Sequence, residues 1–85
     1  MDGLEFRRKR ALYRAVHRGT KELDLILGRY AKERVLDMDE ARLALFEQLL
    51  SFPDPEVDQW IKGREIPGYL TELIADVRAF YSLDG

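Results

Sequence analysis

Leu23, Ile26, Leu27, Tyr30, Ala31 and Val35 recur at the three- and four-residue steps of an α-helix, making one continuous apolar face. A face of that width is stable only when another element covers it, so the chain must pack helices against each other. Residues 4–18, just before it, contain no Pro or Gly and are rich in Leu, Ala, Arg and Lys, all good helix formers. Gly19 separates the two segments. The joint His17-Arg18-Gly19-Thr20-Lys21-Glu22 therefore combines a breaker with opposite charges, immediately beside a buried anchor.

The remaining apolar residues extend the pattern. Ala11, Leu12, Ala15 and Val16 give the first helix, roughly residues 4–17, a narrow stripe surrounded by Arg7, Arg8, Lys9, Arg10 and Arg14. The second helix runs from about Thr20 to Arg34, and Gly28 inside it is read as a point of close approach by another helix, since it costs about 1 kcal/mol relative to alanine. Asp39 is an expected N-cap for a third helix carrying Leu43, Phe46, Leu49 and Leu50 and ending near Ser51. Asp54 is read as the N-cap of a short fourth helix, with Pro55 at its first position, Val57, Trp60 and Ile61 facing inward, and Gly63 as the stop. After the Ile66-Pro67-Gly68 turn, a fifth helix over about 69–82 places Leu70, Leu73, Ile74, Val77 and Tyr81 on its inner face. Nothing alternates at period two for long enough to make a strand. The expected fold is an all-α, compact bundle of five short helices, with residues 1–85 forming one domain.

Charge is divided unevenly. Residues 1–21 carry a balance of +5 and residues 22–85 one of −7, a basic end on an acidic body. The absence of cysteine removes disulfides, thiolate metal sites and thiol catalysis. No apolar run reaches the roughly 18–20 residues of a membrane span, and the acidic start Met1-Asp2-Gly3-Leu4-Glu5 lacks a signal-peptide core. No membrane partner and a cytoplasmic location are expected.

Catalysis finds little support. His17 is the sole histidine, and nothing places it beside Ser51, Ser82, Thr20 or Thr71 as a nucleophile–base pair. Near a helix C-terminus it is more simply a dipole-stabilising residue. Asp37-Met38-Asp39-Glu40 fails as a calcium loop, because Arg42 and Gln48 stand where Gly and Glu are needed. Arg7-Arg8-Lys9-Arg10, with Arg14, Arg18 and Lys21, could meet phosphates or an acidic protein, but it equally fits a solvated face paired with the acidic body. At the joint, the pattern alone favours a capping box, with Gly19 as N-cap and Glu22 reaching back to its amide, and Arg18 as an exposed cation.

Arg18-Gly19-x-x-Glu22-Leu23-Asp24, followed by Phe46-Glu47-Gln48-Leu49-Leu50, Pro53-Asp54-Pro55, Trp60 and Gly63-Arg64, resembles the SdhE-type succinate dehydrogenase flavinylation factors with their RGxxE signature. The resemblance covers about residues 5–75. It implies a small five-helical assembly factor or chaperone that is not itself an enzyme. Such a factor binds the flavoprotein subunit of succinate dehydrogenase, and in some bacteria of fumarate reductase, and promotes covalent attachment of FAD. It acts on the FAD of its client and binds no cofactor or metal firmly itself. Arg18, Gly19, Glu22, His17 and Asp24 are the implied partner-binding residues. Gly19 would leave the backbone bare for close approach, Arg18 would offer a planar fork, and Glu22 a fixed acceptor. A monomer is expected, with no nucleic acid. The chain lacks the N-terminal extension of mitochondrial relatives, so a bacterial member is expected. The alternative is a small regulatory or antitoxin-like protein that binds another protein or nucleic acid through the basic first helix.

Overall fold

The computed structural model describes residues 3–84, with side chains as far as Tyr81. Five helices follow in order: α1 Gly3–Val16, α2 Lys21–Arg34, α3 Glu40–Leu50, α4 Asp54–Ile61 and α5 Thr71–Asp84. Short 3-10 turns at Val35–Asp37 and Gly68–Leu70 lead into α3 and α5. The described residues contain no strand, and none of their helices is long and apolar enough to cross a membrane.

The long apolar stripe becomes the centre of the bundle. Leu23, Ile26, Leu27, Tyr30, Ala31 and Val35 are all buried, and both α1 and α5 pack against α2. Phe46 and Leu49 of α3, Val57 and Trp60 of α4, and Leu73 and Val77 of α5 complete the core. On α1 the stripe narrows to Ala11 and Ala15, both buried, which lets that helix lie close to its neighbours. α1 and α2 approach closely at Gly28. A Cβ there would stand 3.0 Å from Val16 Cγ1 and 3.5 Å from Val16 Cα, so the glycine permits the α1–α2 crossing expected from its position.

Local chemistry sets the start of α3 and the end of α4, with exceptions at the start of α4 and on the inner face of α5. The Asp39 carboxylate accepts from the Arg42 amide at 2.8 Å and caps α3. Gly63, at φ +86°, terminates α4. The first exception is α4, where the N-cap is Pro53 and Asp54 is the first helical residue. The Asp54 carboxylate is turned away from capping because it receives the Arg18 guanidinium. The second is the inner face of α5. Phe80 is half-buried on the core while Tyr81 is 38% exposed, the reverse of the expected placement. Positions 80 and 81 both follow Val77 by a helical step. The tie is broken by Tyr30, whose ring meets Phe80 edge-on at 5.8 Å, and by Arg34, whose guanidinium lies 5.4 Å from the Phe80 ring centre.

Candidate functional site

The α1–α2 joint is built on two supports beneath its outer surface. After Val16 the chain turns through His17, Arg18 and Gly19, and Gly19 takes φ +102°, a left-handed conformation that favours glycine. Thr20, in extended conformation, is the N-cap of α2 and makes no side-chain capping bond. Glu22 is therefore the second helical residue and does not reach back to Gly19. Asp24 serves in its place, as its Oδ1 accepts the Arg18 amide at 2.6 Å and the Gly19 amide at 3.2 Å. The left-handed glycine turns both amides toward the first turn of α2, where an acidic residue also suits the helix dipole. The expected capping box is replaced by this longer clasp.

Arg18 is the second support. Its side chain is 7% exposed. Nε and Nη2 donate to Asp54 Oδ1 at 2.9 and 2.6 Å, Nη1 donates to the Leu50 carbonyl at 2.5 Å, and Nη2 also donates to the Phe52 carbonyl at 2.7 Å. Leu50 and Phe52 carry carbonyls left free where α3 ends, so Arg18 caps α3 from a distance while neutralising the first residue of α4. The guanidinium is thus neither a solvated cation nor a fork held out to solvent. It fastens the joint to the α3–α4 turn.

Above these supports the outer surface is open. Gly19 is exposed, and a Cβ built there would meet nothing within 4 Å. Glu22 is exposed and makes no hydrogen bond or ion pair among the described residues. His17 is exposed, its ring stacked on Tyr13 at 4.1 Å with Nδ1 2.9 Å from the Tyr13 carbonyl oxygen. That oxygen can only accept, so Nδ1 carries the proton in this contact. Tyr13, Arg14, His17, Arg18 and Phe52 border an open cleft at the joint, and Glu22, Leu23, Pro55 and Asp58 border a smaller groove beside it, with Asp54 shared by both. The joint therefore presents a ridge of bare backbone beside two depressions, with Glu22 on its flank.

A family profile described as the flavinator of succinate dehydrogenase matches residues 9–81. The chain belongs to this family. A FAD assembly factor SdhE of Acetobacter pasteurianus is 40% identical over 63 residues, 74% of this chain and 58% of that protein. A second FAD assembly factor SdhE, from Legionella pneumophila, is 32% identical over 76 residues, 88% of this chain and 96% of that protein. A mitochondrial succinate dehydrogenase assembly factor 2 of Dictyostelium discoideum is 38% identical over 65 residues, 75% of this chain and 46% of that protein. The chain thus spans about half the length of the Acetobacter and Dictyostelium relatives. No solved structure matches it significantly.

Within this flavinator-family domain, the five residues singled out from the sequence lie together but divide by exposure. Gly19, Glu22 and His17 face outward, and Arg18 and Asp24 support them from beneath. Asp54 is part of the same arrangement, although the sequence offers it only as a cap and as part of the Pro53-Asp54-Pro55 motif, because a partner 36 residues from Arg18 leaves no local signal. Tyr13 was likewise missed, although its four-residue spacing from His17 on one helix face allows the stacking. The basic helix also divides. Arg7 pairs with Glu47 at 2.6 Å and Glu40 at 3.4 Å, and Arg8 donates twice to the Met38 carbonyl, at 2.6 and 3.0 Å. The hydrogen bond from Arg7, opposed by partial burial, holds the Glu47 carboxyl below its ordinary range. No nucleophile–base pair forms among the described residues. The Ser51 and Thr71 hydroxyls donate to backbone carbonyls within their own turns, and the Ser82 side chain lies outside the described residues.

Proposed function

We propose that the protein is an assembly factor that binds the flavoprotein subunit of succinate dehydrogenase and promotes covalent attachment of FAD to it. Family membership and the names of its relatives support this reading. The observation that carries it is the bare Gly19 ridge beside a Glu22 without a partner among the described residues, mounted on the part-buried Arg18–Asp54 pair. A flat ridge without a side chain can enter a narrow partner surface, and Glu22 is positioned to accept a hydrogen bond or charge from it. His17 borders the contact. Arg18 and Asp24 act as positioning residues that hold the ridge in shape.

On this reading the factor is not an enzyme, and bond formation belongs to the flavoprotein and its flavin. FAD is the client's cofactor, and this chain holds neither it nor a metal firmly. The factor works as a single-domain monomer in the bacterial cytoplasm, with the fumarate reductase flavoprotein as a further client. Co-expression with the succinate dehydrogenase flavoprotein subunit tests it, with covalent flavin fluorescence read on a denaturing gel. The signal should need the wild-type factor and fade with Gly19→Arg and Glu22→Ala, each shown to be folded. Equal fluorescence in every lane, including one without the factor, would refute the reading.

A further inference from the structure

The cations of α1 are divided between two jobs. Arg7 and Arg8 are engaged within the chain, to Glu40, Glu47 and the Met38 carbonyl. Lys9 and Arg10 are exposed and take part in no hydrogen bond or ion pair among the described residues. On the same arc stand two exposed aromatic side chains, Phe6 at 61% and Tyr13 at 64% exposure, and His17, stacked on Tyr13, closes it. At 100° per residue, positions 6, 9, 10, 13 and 17 span roughly a quarter to a third of the helix circumference, opposite the buried Ala11 and Ala15. The arc extends about 16 Å along α1 and ends at the Gly19 ridge.

We infer that this arc is a second docking surface for the same flavoprotein client, one that receives carboxylates on Lys9 and Arg10 and apolar sockets around Phe6 and Tyr13. The inference rests on the assembly-factor reading and names the chemistry of the partner along α1. Two exposed aromatic side chains on one helix face match the anchors of protein interfaces, where a few buried aromatic residues carry most of the affinity. The cations lie between the rings, so the arc has no continuous apolar face to sink into a bilayer. One face of Tyr13 is already covered by His17, which leaves less ring for base stacking. Lys9 and Arg10 make no ion pair among the described residues, although the charge of Arg10 reaches Glu47, and an acidic partner surface supplies close partners for both.

Binding of the purified flavoprotein subunit to the wild type, Phe6→Ala/Tyr13→Ala, Lys9→Glu/Arg10→Glu and Gly19→Arg, at low and high salt, tests the inference. All four altered side chains on the arc are exposed, so these variants should fold, and circular dichroism checks that they do. The aromatic pair should weaken binding about tenfold or more at both salt concentrations. The charge reversal should weaken it chiefly at low salt and flatten the salt dependence. If both arc variants bind as the wild type does while Gly19→Arg does not, the joint alone docks and the inference fails. If the wild type itself does not bind the subunit, the assembly-factor reading fails and the inference falls with it. Loss of binding to phosphatidylserine vesicles or duplex DNA in the arc variants, with client affinity unchanged, would overturn the inference and assign the arc to that other partner.

Discussion

The Arg18 guanidinium and the Asp54 carboxylate lie 36 residues apart in sequence and 2.6 Å apart in the fold. Their contact ties the α1–α2 joint to the start of α4, and the same guanidinium closes the end of α3 through the Leu50 and Phe52 carbonyls. An arginine next to the exposed glycine is therefore what holds that glycine in place.

Arg18→Ala should destabilise the domain by about 2–3 kcal/mol, since it leaves a carboxylate and two carbonyls without their donor. Asp54 retains 29% side-chain exposure, which keeps the loss below that of a fully buried pair. Arg18→Lys should recover only part of it, because an ammonium cannot reproduce the fork. Urea denaturation of the three proteins measures the difference, and equal midpoints would show that the pair contributes nothing.

Gly19→Arg should leave the fold intact. The left-handed backbone costs a non-glycine residue about 1–2 kcal/mol, but the space beyond its Cβ position is open. A modest fall in melting temperature with an unchanged helical spectrum is expected. Global unfolding would mean that the glycine is needed for the fold itself.

Gly28 should behave in the opposite way. A leucine there must displace Val16, whose Cγ1 lies 3.0 Å from the new Cβ and whose backbone lies close behind, at a cost of about 1–3 kcal/mol or more from overpacking. Alanine is milder, since its helix propensity gain of about 1 kcal/mol opposes the same contact. Thermal melts of the two variants should rank leucine well below alanine.

Stability should fall at both ends of the pH scale for identifiable reasons. Burial, with help from the 2.6 Å hydrogen bond to Asp76, pushes the Tyr30 phenol well above its ordinary range. The phenol thus stays neutral in the fold while the unfolded chain ionises near pH ~10. Its contribution is complete below that pH and is lost as the pH rises toward the folded value. Tyr30→Phe should cost about 1 kcal/mol at neutral pH and make the alkaline decline shallower. Glu47 has the opposite sign: its lowered carboxyl stabilises the fold above its unfolded range and ceases to do so as the pH falls through its folded value. Glu47→Gln should flatten the acid limb. Denaturation midpoints measured across the pH range check both.

Much of this architecture is local and could be read in advance. The α2 stripe, the Asp39 cap and the close approach at Gly28 each depend on residues within one or two helical turns, or on a glycine with no other reason to interrupt a helix. At the joint the local pattern favours only a capping box, and the reading of a partner site there comes from the family resemblance. Its internal construction was not legible, because the choice of Asp24 over Glu22 as the clasp depends on the left-handed turn at Gly19 and on which residue starts α2. The inward turn of Arg18 depends on where α4 begins, and Phe80 over Tyr81 on where Tyr30 lies across the core. These are consequences of packing between distant segments, and neither periodicity nor spacing encodes them.

The most direct test uses purified components: the apo-flavoprotein subunit, free FAD and this factor, with the initial rate of covalent flavin formation followed by fluorescence of the denatured protein. The wild type should raise the rate over the subunit alone. Folded Gly19→Arg should fail to do so, and Glu22→Ala should be reduced while costing no more than about 1 kcal/mol of stability. A folded Gly19→Arg protein that raises the rate as much as the wild type would contradict the placement of the working surface at the α1–α2 joint.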